Sequence, residues 1–237
     1  MQFTVANELF AQFPRACFGV VVAHAVPVME HARISEMLQQ AAGNIGSTFP
    51  AGVRSHSHIA VWRDAFAALG YNPNKFLSSV EALAARVYKS GQMPSINAIV
   101  DLVNAFSLRY VLPMGAHDLQ SLQGSVEIRL SRAGDSFTPF GAEEAEDVPP
   151  GEVVYASGAT IRTRRWVWRQ SDHGKISSAT QDVFFPIDGF AGVTDQDVLA
   201  ARDELASFLR GQGAKVQTGW VDADRPLYAW DDSDPAS

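Results

Sequence analysis

Apolar positions recur at helical spacing in four stretches of the first half of the chain. ARISEMLQQAA at 32–42 predicts one amphipathic helix. HIAVWRDAFAALG predicts a second, with Ile59, Trp62, Phe66 and Leu69 sharing a face and Gly70 as its stop. A third is marked at both ends: Ser78 and Glu81 have capping-box spacing, Val80, Leu83, Ala84 and Val87 form the apolar stripe, and Gly91 suits the far end. The fourth, INAIVDLVNAFSLRYVL, is apolar on more than one side, which predicts a helix enclosed by other elements at the structural centre. From residue 125 the pattern changes. SVEIRLS alternates polar and apolar residues, and EVVYA, ATIRTRRWVW and DVFFPI are short runs separated by Gly, Pro or Asp, so all four predict strands. A last helix, DQDVLAARDELASFLRG, places Val198, Leu205, Phe208 and Leu209 inward between Thr194 as cap and Gly211 as terminator, and AKVQTGWV adds a strand. Strands that follow helices point to an α+β fold rather than a parallel α/β one.

With 237 residues, 46% hydrophobic and 19% charged, the chain has the balance of an ordinary globular protein of one or two closely packed domains. Its longest apolar runs, such as CFGVVVA at 17–23, are too short to cross a bilayer, and the first ten residues lack the pattern of a signal peptide. The expectation is a cytoplasmic protein with no membrane partner. Cys17 is the sole cysteine, and its setting among Phe18, Val20 and Val21 predicts a small buried hydrophobe. The net charge of −7 argues against a protein that coats DNA or RNA through a diffuse positive field, but leaves room for a local basic site. EEAED at 143–147 and DDSD at 231–234 read as solvated loop and tail, with residues 231–237 expected to fray.

Chemistry concentrates in RTRRWVWRQ, where Arg162, Arg164, Arg165 and Arg169 surround Trp166 and Trp168 and lead into Gln170. As a continuous strand it would set Arg162, Arg164, Trp166 and Trp168 on one side. Two readings stand side by side: a surface that stacks on flat groups and clamps phosphate or carboxylate, or core tryptophans with arginines as surface ions. Asn97, Asp101 and Asn104 fall along one side of the central helix. Enclosed amides and carboxylates need partners, so these three either orient a ligand or tie down neighbouring loops. His117 and Asp118 follow the helix, but neighbours in sequence are not thereby a catalytic pair. The histidines at 24, 31, 56 and 58 have no supporting cysteine or carboxylate pattern with ligand spacing, so no metal is expected. There is no glycine-rich phosphate loop, nucleophile elbow or dinucleotide fingerprint, and no cofactor is expected.

The order of segments carries a resemblance. SINAIVDLVNAFSLRYVLPMGAHDLQSLQGSVEIRLSRAGDSF resembles a segment of the bacterial phenylalanyl-tRNA synthetase beta chain through Asn97, Val100, Asp101, Asn104, Pro113, Asp118, Leu119 and Gly124. RWVWRQSDHGKISSATQDVFF is similar to that family's Met-Gly-Gly loop and following Ala-Thr-Thr strand, with Ala179, Thr180, Asp182 and Val183 in register. Residues 60–210 thus resemble a freestanding B3/B4 domain, the tRNA-editing domain of that synthetase. The family's histidine falls on Gly115, His117 stands where the family has Phe, and the Gly-Gly pair is replaced around Arg169 and Gln170.

The resemblance implies an α+β fold with a β-sandwich-like core of unusual topology flanked by helices, spanning 59–230, with 1–58 as an extension packed on it and 231–237 as a flexible tail. It also implies a pocket that hydrolyses a wrongly attached amino acid from a tRNA acceptor end. On that basis Asn97 and Thr180 orient substrate or water and His117 transfers a proton or donates a hydrogen bond. Arg164, Arg165 and Arg169 contact phosphate or carboxylate, Trp166 and Trp168 stack, and Gln170 joins them in place of the glycine loop. The alternatives are a module that binds an amino acid, nucleotide or tRNA end without turnover, and a small-molecule hydrolase unrelated to tRNA. Neither the amino acid nor the oligomeric state follows from the sequence.

Overall fold

The structure, a computed structural model, describes residues 1–231. The rest of the expected tail, 232–237, lies outside the described residues. The chain opens with β1 (Gln2–Val5), α1 (Asn7–Gln12) and β2 (Ala16–His24). Five helices follow: α2 (His31–Gly43), α3 (Ile45–Thr48), α4 (Ser57–Ala68), α5 (Ser79–Ser90) and α6 (Ala98–Tyr110). The second half holds β3 (His117–Asp118), β4 (Val126–Leu130), β5 (Ser136–Phe137), β6 (Glu146–Asp147), β7 (Val153–Ser157), β8 (Thr160–Arg164), β9 (Arg169–Gln170) and β10 (Val183–Phe190). It ends with α7 (Asp195–Gly211), β11 (Lys215–Val221) and β12 (Leu227–Ala229).

The strands form two sheets. The first runs β12-β1-β4-β7-β8-β5-β6 with β9 paired to β8, and the second runs β11-β2-β10-β3. They face each other across a core that includes Phe3, Phe18, Val20, Tyr155, Phe184 and Trp230. The other face of the second sheet is covered by α6 and α7, where Val21, Ala23, Val183 and Phe185 meet Leu102, Phe106, Leu205 and Leu209. The fold is therefore α+β, a sandwich with helices on one outer face. Each such buried Val, Leu or Phe contributes on the order of 1.5–3 kcal/mol. Close packing of α7 needs Gly189, where a Cβ would lie 2.5 Å from Thr194 Oγ1 and from Val198 Cγ2.

Strands β1 and β2 belong to this frame. β1 lies between β12 and β4, and β2 pairs with both β10 and β11. The segment expected to form an extension over 1–58 thus supplies a strand to each sheet. Because β2 is buried on both faces, it reads in sequence as a continuous apolar run without alternation.

Other expectations change in detail. Ser78 Oγ accepts the Glu81 amide, but the Glu81 carboxylate turns to Arg63 at 2.7 Å, so only half of the capping box forms. Thr194 stands before α7, yet its hydroxyl accepts the Phe190 amide rather than one from the helix. Gly211 is still helical, and Gly213, with φ +100°, is the glycine that turns the chain away. The run 159–168 is not one strand: it ends at Arg164, turns through Arg165–Trp168, and returns as β9 with Arg169 opposite Arg164.

Candidate functional site

That turn explains the arginines. Arg165 and Trp166 have φ of +46° and +61°, a conformation disfavoured for residues with a Cβ by roughly 1–2 kcal/mol each. Glu152 holds it in place. Its carboxylate receives Arg164 Nε at 2.9 Å, Arg164 Nη2 at 3.0 Å and the Arg165 backbone N–H at 3.0 Å, with Arg165 Nη2 at 3.3 Å. Arg164 also pairs with Glu146 at 2.6 Å. The Arg165 guanidinium stacks on Phe76 and Trp168, 4.1 and 4.6 Å from their ring centroids. Arg164 and Arg165, expected on substrate, are thus committed to building the hairpin. Trp166, expected to stack on a ligand, is fully buried against Trp62, Phe13 and Phe18 because the positive-φ turn drives its ring inward. Of the two aromatic rings, Trp168 alone is partly open, with Arg169 above it at 5.4 Å.

The Trp166 indole N–H donates to Asp188 Oδ1 at 2.9 Å, and the Tyr155 hydroxyl donates to the same oxygen at 2.7 Å. Asp188 is buried, and burial raises its carboxyl to about 7, against the pull of these two donors. It borders a crevice of about 60 Å³ that Tyr155, Trp166, His117, Gly115, Gln170 and Arg169 also line. Burial, reinforced by the Arg162 guanidinium, pushes the His117 imidazole down to about 3. His117 is therefore neutral at physiological pH, which suits the hydrogen-bonding role, one of the two expected for it. Gln170 Nε2 donates to the Ala116 carbonyl at 2.9 Å and sits 3.5 Å from His117 Nδ1. The other ring nitrogen of His117 is Nε2. That nitrogen points at Gly115: a Cβ there would lie 3.2 Å from it, so the ring of His117 reaches the position that the absent side chain leaves free.

Beyond Gly115 lies a larger cavity of about 390 Å³, lined by Asn97, Val103, Asn104, Ala116, Lys175 and Phe140 among others, and sharing Met114, Gly115 and Gln170 with the crevice. Its size is that of a small-molecule site. Asn97 Oδ1 caps α6 by accepting the Val100 amide at 3.0 Å, while the residue borders this cavity and a third one of about 280 Å³. Thr180 lines only the latter of these two, and its hydroxyl donates to Asp118 at 2.7 Å. Asp101 is fully buried and ties loops, accepting from Ser95 and from the Ile96 amide at 2.8 Å, with His31 Nε2 at 2.8 Å. Of the three residues expected to act together, Asn97 and Thr180 share the third cavity, whereas His117 borders the crevice apart from them. Gln170 alone of the arginine–tryptophan stretch borders both crevice and cavity. Asp188, Tyr155, Phe140 and Lys175 were not singled out in sequence; the lone acid in VFFPIDGF was the available signal for Asp188.

A family model described as B3/4 domain matches residues 61–211. The phenylalanine–tRNA ligase beta subunit of Chromobacterium violaceum is 31% identical over 106 residues, which are 45% of this chain and 13% of that protein. The chain spans only this small part of the relative's length. An N-terminal fragment of the phenylalanyl-tRNA synthetase beta-subunit from Pyrococcus horikoshii superposes on 90% of this chain and 49% of its own, at 10% identity and a TM-score of 0.49. Among the described residues no helix is long and apolar enough to cross a membrane, and no group of three or more His, Cys, Asp or Glu is placed to hold a metal ion.

Proposed function

The chain belongs to the B3/4 domain family, and on that premise we propose that its larger cavity takes the aminoacyl end of a tRNA and hydrolyses the ester. The observation that carries the reading is the cavity of about 390 Å³ edged by the amides of Asn97, Asn104 and Gln170 inside the matched segment. An aminoacyl ester is activated, so its hydrolysis requires a positioned water and a stabilised oxyanion rather than a strong nucleophile. Amide side chains suit that task. Lys175, half-exposed at the rim and 2.9 Å from Asp172, is the cation available to a phosphate, and exposed Phe140 offers a ring to a base.

One observation favours binding without turnover: among the described residues, Lys175 is the only titratable side chain that lines the larger cavity. Deacylation of a full set of charged tRNAs separates the two. The hydrolytic reading expects one or a few esters to be cleaved well above the buffer rate, with Asn104→Ala and Gln170→Ala each slower by on the order of 100-fold. If no ester is cleaved faster than in buffer while charged tRNA still binds saturably, the protein is a binder.

A further inference from the structure

Asp188, a buried acid lining the crevice, takes no part in the proposed hydrolysis. Its surroundings are defined by strand register. Met114 bridges Ile187, the Gly115 amide donates to the Pro186 carbonyl at 3.1 Å, and the Asp188 amide donates to the Pro113 carbonyl at 3.0 Å. Alternation along β10 puts Pro186 and Asp188 on the face towards the first sheet, with Gly115 opposite Pro186 and thus diagonal to Asp188. A side chain at 115 would fill this corner, because its Cβ would already stand 3.2 Å from His117 Nε2 and 3.3 Å from Pro186 Cγ. Bare Gly115 keeps it open. Gly115, Met114 and Gln170 border both the larger cavity and the crevice, so the two meet at this corner.

At the crevice end waits a carboxyl with unused capacity. Tyr155 and Trp166 both donate to Oδ1, which leaves Oδ2 for a bound group. No cation of the protein forms an ion pair with Asp188 among the described residues. A buried carboxyl without a counter-ion favours a ligand that brings one. About 60 Å³ is room enough for an ammonium head.

We propose that Asp188 is a specificity-determining residue, and that the crevice under Gly115 receives the primary ammonium group of the amino acid whose ester occupies the larger cavity. The inference rests on the proposed reading of that cavity. It explains why the corner is a glycine and why the crevice ends in an acid: an acyl group without an ammonium leaves the acid unmatched, which is how a buried polar group discriminates.

The test uses small esters and needs no turnover. The Trp166 indole N–H, bonded to Asp188, gives one of five indole resonances in a ¹⁵N–¹H spectrum and is assigned with Trp166→Phe. Alanine methyl ester carries only an α-ammonium, Nα-acetyl-lysine methyl ester only a side-chain ammonium, and methyl lactate neither. The expected result is a saturable shift of the Trp166 signal by one amine at a concentration at least about tenfold below that for methyl lactate, and the responding amine identifies the source of the ammonium. Asp188→Asn should abolish the preference, and Gly115→Ala, which leaves the acid intact, should weaken amine binding by about tenfold or more. Equal shifts by methyl lactate, no shift by either amine, or an unchanged preference in folded Asp188→Asn overturns the inference. Amine binding with no tRNA deacylation would refute the hydrolytic reading alone, and deacylation indifferent to the ammonium would refute the inference alone.

Discussion

His117 and Asp188 titrate in opposite senses within one buried region, and this predicts how stability depends on pH. Asp188 is raised from 3.8 to about 7, so between these pH values the folded state holds a proton that the unfolded chain has lost. Its contribution is fully present below pH 3.8 and is lost as pH rises through 7. At 1.36 kcal/mol per pH unit, acidifying from pH 7 to pH 4 therefore stabilises the fold by about 4 kcal/mol through this group. His117 is lowered from 6.5 to about 3, so here the unfolded chain takes up the proton and the folded state refuses it. Over the same interval, effective from 6.5 down to 4, it destabilises the fold by about 3 kcal/mol. Neither group is among the causes of the other's shift, so the two effects are separable by mutation. In the parent they nearly cancel. Urea denaturation at pH 7, 5.5 and 4 of the parent, Asp188→Asn and His117→Gln exposes them, because carboxylates elsewhere act equally in all three proteins. Relative to the parent, Asp188→Asn should lose about 4 kcal/mol more on acidification to pH 4, and His117→Gln about 3 kcal/mol less. Parallel pH profiles for all three proteins would refute the assignment of these charge states.

Three further outcomes follow from the geometry. Glu152→Gln removes the charge that holds Arg164, Arg165 and the positive-φ turn, and should cost about 3 kcal/mol in urea denaturation while leaving the fold's spectrum intact. Gly174→Ala places a Cβ 1.7 Å from Arg162 Nη2 at a φ of +75°, so its melting temperature should drop by at least about 5 °C; an unchanged value would mean that buried Arg162, whose Nη2 donates to Ser121 Oγ at 2.5 Å, does not fill this space. Lys175→Ala should weaken tRNA binding and flatten its salt dependence by about one phosphate contact, whereas Arg164→Ala should lower stability without changing that salt slope.

Much of the frame was legible in sequence because helix α5 buries Val80, Ala84 and Val87 on a stripe of the right period and ends on Gly91 in the left-handed region. The central helix reads equally well, with Asn97 capping it and eight of its residues buried. β2 escaped because a strand covered on both faces loses the alternation by which strands are detected. The arginine–tryptophan run misled for the opposite reason. Its alternation suggests a strand, yet the turn depends on Glu152, and a distant acid's grip on two arginines is invisible to local pattern. Asp188 was hidden similarly: what distinguishes it is Tyr155 and Trp166, brought from other strands and a turn. The cavities arise only when Gly115, Gln170 and Asn104, from three separate segments, meet.

The central claim is that the cavity between Asn97, Asn104 and Gln170 receives an esterified nucleotide end. Its most direct test is amide-resonance mapping with a non-hydrolysable aminoacyl-adenosine in which an amide replaces the ester. Saturable shifts concentrated at Asn97, Asn104, Gly115, Gln170 and Lys175 are predicted, with Arg164 and Arg165 nearly still. Shifts centred elsewhere, or none at saturating ligand, would contradict it.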